Sequence, residues 1–161
     1  MTTLIQTEAP VKPVVYDRSQ RAYNVYCPKT GELVDTFPSG REGKRAAFQM
    51  SVQLQNPQLH TLATQWCEMY PELQARVWRA AEIVLDDGVL PAFSMQHLAV
   101  ISSQNSAHGE YNVAMRDQML QCDCEDFVSF SAPMIGENSQ LLCKHLLAYV
   151  LFTQLNTNSV M

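Results

Sequence analysis

The segment Cys122-Asp123-Cys124, followed by Cys143-Lys144-His145-Leu146-Leu147-Ala148-Tyr149-Val150-Leu151-Phe152, decides the fold of the C-terminal part of the chain. It holds three of the five cysteines and one of the four histidines, in two pairs whose members are separated by one residue. Three thiolates and one imidazole suit tetrahedral Zn²⁺ and leave no coordination position open for a substrate. The pattern therefore predicts a structural zinc site formed by Cys122, Cys124, Cys143 and His145.

The one-residue spacing also predicts the local backbone around each pair. Residues i and i+2 share a face of a strand, but the chain must curl before both sulfurs reach one ion. We therefore expect Cys122 to end a strand and Cys124 to lie in the turn that follows. Residues i and i+2 point in nearly opposite directions on a helix. We therefore expect Cys143 to precede a helix, with His145 in its first turn and an apolar, mostly buried continuation to Phe152.

Two other interpretations of the cysteines remain open from the residues alone. A cysteine is often a small buried hydrophobic residue, and two such pairs can arise by chance. Disulfides are disfavoured, because five cysteines are an odd number and no apolar N-terminal stretch suggests secretion. Cys27 and Cys67 lie outside the pattern and are expected to be ordinary thiols.

The ligand pattern resembles the SWIM zinc finger, whose signature is Cys-x-Cys, a variable gap and Cys-x-His. Neighbouring residues also fit, namely Tyr111-Asn112-Val113, Asp126-Phe127 and Lys144-His145-Leu146-Leu147-Ala148. The resemblance covers residues 96–152 and implies a β-hairpin followed by a helix around one zinc ion. It also implies binding of DNA or contact with another protein. One departure is the acidic segment around the first cysteine pair, which disfavours phosphate contact by this face.

The N-terminal part of the chain predicts a small β-β-β-α unit. Short apolar runs indicate strands at residues 14–16, 22–26 and 33–37, with a turn at residues 28–31. Ser39 and Glu42 match a capping box, which predicts a helix that starts near residue 40 and ends near Asn56-Pro57. The unit loosely resembles three-stranded DNA-binding modules of integrases and plant transcription factors. Such units also serve as plain packing or interaction modules, so this alternative stays open.

The middle of the chain predicts two helices and then two strands. Asn56-Pro57 caps one helix, Pro71 opens the next and Asp86-Asp87-Gly88 closes it. One strand is expected near residues 98–103, a turn at residues 105–109 and a return strand at residues 111–120. The predicted fold class is α+β, comprising a three-stranded sheet with a helix, a helical pair and a zinc-stabilised hairpin and helix. The expected divisions are a flexible tail (1–12), the β-β-β-α unit (13–55), the helical pair (56–92) and the zinc module (93–161).

Charge is unevenly distributed along the chain. Residues 1–45 carry seven basic and five acidic side chains, a balance of +2, whereas the remaining residues carry four basic and eleven acidic ones, a balance of −7. If the protein binds DNA, its N-terminal third is the better electrostatic candidate. The alternative is an ordinary solvated face. The candidate contacts are Arg18, Arg21, Lys29, Arg41, Lys44 and Arg45.

No catalytic signature is recognisable in the sequence. It has no phosphate-binding P-loop, no nucleophile elbow and no His-Glu-x-x-His motif, so we expect no enzymatic activity and no small-molecule substrate. No apolar run approaches the roughly 20 residues of a membrane span, and reduced cysteines indicate a cytoplasmic setting, or a nuclear one in a eukaryote. The sequence thus favours a zinc-binding module that contacts nucleic acid, DNA in particular, in a mobile-element, repair or defence complex. The alternative is an adaptor that docks a larger protein.

Overall fold

The computed structural model describes residues 13–92, 94, 97–104 and 109–158, and these residues form a mixed α+β protein. Contacts divide the chain between Gln55 and Asn56 into two compact units. The tail expected over residues 1–12 and most of the turn expected over residues 105–109 lie outside the described residues. None of the described helices is long and apolar enough to span a membrane.

The first unit is an antiparallel three-stranded sheet with one helix, which confirms the predicted β-β-β-α order. Its strands are β1 (Val14–Asp17), β2 (Ala22–Tyr26) and β3 (Leu33–Pro38), and β2 lies at the centre of the sheet. Helix α1 (Arg41–Gln55) contacts all three strands and buries Ala47, Ser51 and Val52. The central strand contributes Val25, which is fully buried, so the core of this unit lies between β2 and α1.

The connection from β3 to α1 differs from the predicted capping box. The helix begins at Arg41, and Lys44 N–H donates to the Gly40 carbonyl at 3.0 Å, so Gly40 takes the N-cap position expected for Ser39. Gly40 has a φ of +117°, a conformation that side-chain-bearing residues rarely adopt. Gly43 then packs directly on the end of β3, where a Cβ atom would lie 1.8 Å from the Pro38 carbonyl oxygen. Two glycines therefore let α1 begin immediately against β3.

The second unit starts with the predicted helical pair, α2 (Pro57–Met69) and α3 (Gln74–Leu85). Asn56 caps α2 as expected, because its side chain accepts a hydrogen bond from Leu59 N–H at 3.0 Å. The tight turn Pro71–Leu73 leads into α3. At the end of α3, the Gly88 N–H donates to the Ile83 carbonyl at 2.8 Å, which closes the helix as a Schellman motif.

A four-stranded antiparallel sheet follows the helices, where only a hairpin was expected. Its strands run in chain order as β4 (Val89–Pro91), β5 (Ala99–Ser102), β6 (Glu110–Arg116) and β7 (Met119–Cys122). The expected strand over residues 111–120 is wrong, because the chain reverses at Asp117 and Gln118. Both residues have positive φ, 50° and 63°, as a two-residue type I′ hairpin requires.

The residue types of this hairpin turn make a stability prediction. Gln118 adopts a left-handed backbone conformation. This conformation is less favourable by about 1 kcal/mol for a residue with a Cβ atom than for glycine. We expect Gln118→Gly to raise the melting temperature of the second unit in thermal circular dichroism. Gln118→Ala, which keeps the steric conflict, is the matched control and should give no increase. A lower melting temperature for the glycine variant would show that the turn is not of this type.

The chain ends with a short helix, a small ribbon and a long buried helix. These are α4 (Glu125–Val128), β8 (Met134–Ile135) paired with β9 (Gln140–Leu141), and α5 (Lys144–Asn158). Helix α5 packs against α2, α3 and the four-stranded sheet, and its consecutive residues 145–148 are all buried. Four consecutive residues cannot share one face of a helix, so the first turn of α5 is covered on several sides. The side chain of Gln140 meanwhile hydrogen-bonds both the N–H and the carbonyl of Leu120 at 2.9 Å.

Candidate metal centre

Four segments of the second unit bring the predicted ligands to one place. Cys122 is the last residue of β7, and Cys124 directly precedes α4 in an extended conformation, as the spacing predicted. Cys143 directly precedes α5, and His145 is the second residue of that helix. Each pair therefore straddles the boundary between two backbone conformations. This change of direction is what allows residues i and i+2 to face a common point.

The geometry of the four side chains fits a metal ion. The three sulfurs and the imidazole nitrogen lie within 4.8 Å of one another, and all four residues are buried. A tetrahedral site with Zn–S bonds of about 2.3 Å separates its sulfurs by about 3.8 Å, so the ligands need only a small inward movement. None of the five cysteines forms a disulfide. The cluster could therefore hold a metal ion with four protein ligands.

The backbone around the sulfurs favours negative charge. The N–H of Cys124 donates to Sγ of Cys122 at 3.4 Å, and the N–H of Leu146 donates to Sγ of Cys143 at 3.4 Å. Cys143 also lies at the N-terminus of the 15-residue helix α5, where the helix dipole stabilises an anion. Because hydrogen bonds to a thiolate lower the energy of that form, these donors support deprotonated cysteines.

The three sulfurs also shift the pKa values of one another's thiols. Hydrogen bonds from the side chains of Cys122 and then Cys143 lower the pKa of Cys124 far below the ordinary thiol value. The hydrogen bond to Cys124, followed by that to Cys143, raises the pKa of Cys122. Three sulfurs this close together therefore favour one thiolate over three, because like charges repel. A divalent cation would replace the thiol protons and neutralise most of the charge on three thiolates.

The buried imidazole of His145 supports a metal site independently of the cysteines. Its side chain is only 4% exposed, yet neither Nδ1 nor Nε2 has a hydrogen-bond partner among the described residues. A buried polar atom without a partner costs free energy, and a metal ion would satisfy one of these two nitrogens. The ring of Tyr111 in β6 packs against the imidazole with centroids 4.4 Å apart, which holds the ring beside the sulfurs.

Two hydrogen bonds to β6 hold Asp123, the residue between the first two cysteines. Both carboxylate oxygens of Asp123 accept hydrogen bonds from Asn112, one from its backbone N–H at 2.7 Å and one from its side-chain amide at 2.8 Å. This clamp ties the turn of the first pair to β6. Sequence reasoning counted Asp123 only as a negative charge, since the register that places it beside Asn112 depends on the unrecognised turn between β6 and β7.

The candidate nucleic-acid contacts lie on the first unit, and the structure separates them into two groups. Arg18 and Arg21 occupy the turn between β1 and β2, and the N-terminus of β2 pairs with the end of β3, just before α1. Five of the six residues therefore share one end of this unit, whereas Lys29 lies in the β2–β3 turn at the other end of β2. None of the six forms an ion pair with another described residue. The five that share this end, called the basic end here, are Arg18, Arg21, Arg41, Lys44 and Arg45.

The surface next to the metal centre has the opposite charge. Asp123, Glu125 and Asp126 are exposed beside the first cysteine pair. Lys144, the one basic residue within the ligand pairs, donates through Nζ to the side chain of Gln104 at 3.1 Å. Gln104 in turn donates to Glu82 at 3.0 Å. This face therefore offers little attraction to a phosphate backbone.

No protein-family model, curated protein or solved structure gives a significant match to this chain.

Proposed function

We propose that this protein is a zinc-stabilised, non-catalytic binding protein of the SWIM type, and that its first unit contacts nucleic acid, DNA in particular. The donor set supports zinc over other metals, because three thiolates and one imidazole suit Zn²⁺. Four protein ligands fill a tetrahedral shell, so the ion would stabilise the fold and would bind no substrate. Reduced cysteines fit a cytoplasmic or nuclear setting.

The observation that carries the nucleic-acid proposal is the basic end of the first unit. Its five cationic residues form no ion pair with another described residue, and four of them are exposed. Only Asp17 and Glu42 lie near them in sequence with opposite charge, and Asp17 already accepts hydrogen bonds from Ser19. Free cationic groups on one end of a small unit are what neutralisation of phosphates requires.

Charge reversal at the basic end tests this function. Arg41→Glu combined with Lys44→Glu should weaken binding to a DNA duplex at least tenfold in a mobility-shift titration, while Lys144→Ala should have little effect. The slope of log affinity against log salt should become shallower by about one unit for each lost phosphate contact.

A matched pair of single variants separates position from net charge. Arg41→Glu and Lys29→Glu change the total charge equally but lie at opposite ends of β2. Arg41→Glu should cost more affinity if the basic end is the contact surface. Equal losses would indicate an unspecific charge effect. Absence of binding to single- or double-stranded DNA at low salt by the wild-type protein would refute the nucleic-acid function.

A second function, that of an adaptor for another protein, is favoured by a different observation. Large apolar side chains are exposed close to the metal centre, among them Val128, Phe130 and Met134. Exposed apolar groups in one region are typical of protein contact surfaces, whereas acidic neighbours disfavour contact with phosphate. The two functions use different units of the chain and do not exclude each other.

A further inference from the structure

The side chain of Phe130 is exposed in a way that folding alone does not explain. Its side chain is 73% exposed, and its backbone has a φ of +56°. Exposure of an aromatic ring forgoes the free energy of burial, and a left-handed backbone is disfavoured for any residue with a Cβ atom. The left-handed backbone ends α4 as a Schellman motif, because the Ser131 N–H donates to the Asp126 carbonyl and the Phe130 N–H to the Phe127 carbonyl. The exposure of so large an apolar ring, with Val128 and Met134 exposed in the same segment, points to a contact made by this ring.

The turn that carries Phe130 is firmly held. The hydroxyl of Ser129 donates to the Glu125 carbonyl at 2.7 Å, and the N–H groups of Ser131 and Ala132 both donate to the Asp126 carbonyl. The Phe130 N–H itself donates to the Phe127 carbonyl at 3.1 Å. These bonds fix the backbone on both sides of the ring. The side chain is therefore presented outward by a rigid turn, which lowers the entropic cost of binding.

Phe127 and Phe130 together separate two shallow grooves on the sheet. One groove, of about 250 Å³, is lined by Met119, Leu120 and Met134 among others and is almost entirely apolar. The other, of about 370 Å³, has Asn112, Ala114 and Gln121 on its lining, residues that alternate along β6 or pair across to β7. Both grooves thus use the ribbon β6–β7 that ends at Cys122. We call this combined surface the Phe130 surface.

The charges near the Phe130 surface indicate which kind of partner it can bind. Residues 111–142 carry five acidic side chains and one basic side chain, Arg116. The acidic ones are Asp117, Asp123, Glu125, Asp126 and Glu137, and all five are exposed and lie at, or within two residues of, a residue that lines a groove. Asp126 pairs with Arg76 at 3.8 Å and Asp123 with Asn112, so the carboxylates best placed for a partner are Asp117, Glu125 and Glu137. These carboxylates, called the acidic rim here, outnumber the one cation, Arg116, which lines the second groove, so the surface attracts cations and repels both nucleic acid and anionic lipid.

We propose that the Phe130 surface binds a segment of another protein that presents a large apolar side chain flanked by lysine or arginine. This inference rests on the adaptor function proposed above and specifies its surface and its partner chemistry. The apolar side chain enters the grooves beside Phe130, and the cationic side chains pair with the acidic rim. A second copy of this chain is disfavoured on this face, because two identical acidic rims would repel each other.

A selection experiment with a random-peptide library displayed on phage tests the proposal. The zinc-loaded wild-type chain is the target, and the Phe130→Ala variant is kept out of the selection and used only for the affinity measurements that follow. Enriched peptides should share one or two large apolar residues next to Lys or Arg. A synthetic peptide from this set should bind Phe130→Ala at least tenfold more weakly than wild type, as expected for a central interface residue.

Two controls make the outcome decisive. Met69→Ala removes another exposed apolar side chain, 61% exposed, from the same unit and should leave peptide affinity unchanged. Phe130→Ala should retain the wild-type melting temperature, since the ring makes little contact within the fold. If enriched peptides bind equally well to Phe130→Ala, the adaptor function survives but this surface is wrong. No enrichment, an acidic consensus, or concentration-dependent dimerisation that Phe130→Ala abolishes would overturn the proposal.

Discussion

Cys143→Ser is expected to abolish metal binding and to unfold the region around the metal centre. Wild-type protein should contain about one zinc ion per chain by mass spectrometry of the native protein, and the variant should contain almost none. Cys143 is fully buried and accepts the N–H of Leu146, so its loss removes both a ligand and an anchor of α5. We expect the melting temperature to fall by about 10 °C or more, because a structural metal contributes its binding free energy to folding.

Hydrogen exchange shows which elements lose their structure in the Cys143→Ser variant. Protection should be lost in β6, β7 and α5, while the strands of the first unit keep theirs, since the ligands all belong to the second unit. Cys27→Ser is the matched control, because Cys27 lies in the first unit outside the cluster and forms no disulfide. Removal of metal from the wild type with a chelator should reproduce the Cys143→Ser pattern. A fully folded metal-free protein with unchanged protection would refute a structural metal.

Gly43→Ala is expected to destabilise the first unit by about 3 kcal/mol, the opposite of the usual effect of this substitution in a helix. Alanine in place of glycine normally stabilises a helix interior by about 1 kcal/mol. Here the new Cβ atom would lie 1.8 Å from the Pro38 carbonyl oxygen, closer than any real contact. The atom it meets belongs to the backbone of β3, so relief requires movement of the strand or of the first turn of α1.

The prediction is tested by whether Gly43→Ala lowers or raises the free energy of unfolding. Chemical denaturation followed by circular dichroism, with hydrogen exchange to assign the loss to residues 14–55, gives the change in unfolding free energy. Lys44→Ala, at an exposed position of the same helix turn, is the control and should change stability by less than about 0.5 kcal/mol. A stabilised Gly43→Ala variant would mean that α1 does not approach β3 as closely as described.

The sequence predicted those parts of the fold that depend on local residue chemistry. The end of β7 and the start of α5 followed from the spacing of the cysteine pairs, and the start of α2 followed from Asn56-Pro57. The three strands of the first unit followed from short apolar runs. In each case a few adjacent residues contain the determining interaction, such as a side-chain cap or a pair of ligands that must face one ion.

The parts that sequence reasoning missed depend on contacts between distant residues or on unusual turn residues. Asp117 and Gln118 form a type I′ turn without the glycine or asparagine that normally marks one, so the sequence predicts one strand where the structure has β6 and β7. Strand β4 is only three residues long and is defined by its pairing with β5. The start of α1 near residue 40 was predicted, but Gly40 rather than Ser39 takes the N-cap position, with a positive φ that the capping pattern does not indicate.

The candidate sites also differ in how much of each the sequence predicts. The cluster that could hold a metal ion was predicted because its residue types and spacing are both visible in the sequence. The six basic residues form one predicted group, although the turn predicted at residues 28–31 already places Lys29 at the opposite end of the second strand from Arg18 and Arg21. The exposure of Phe130 was hidden, since an apolar run between two ligand pairs predicts burial as readily as a contact surface.

The side chain of Gln140 has a consequence for how any protein partner can bind. Its amide bonds the N–H and the carbonyl of Leu120 as a neighbouring strand would, so it occupies the middle of the outermost strand β7. At the opposite margin of the sheet, β4 ends in Pro91, which has no N–H to donate. Addition of a foreign strand by backbone pairing is therefore disfavoured on both margins, which also protects the sheet from edge-to-edge aggregation. Recognition must instead use side chains on the face of the sheet.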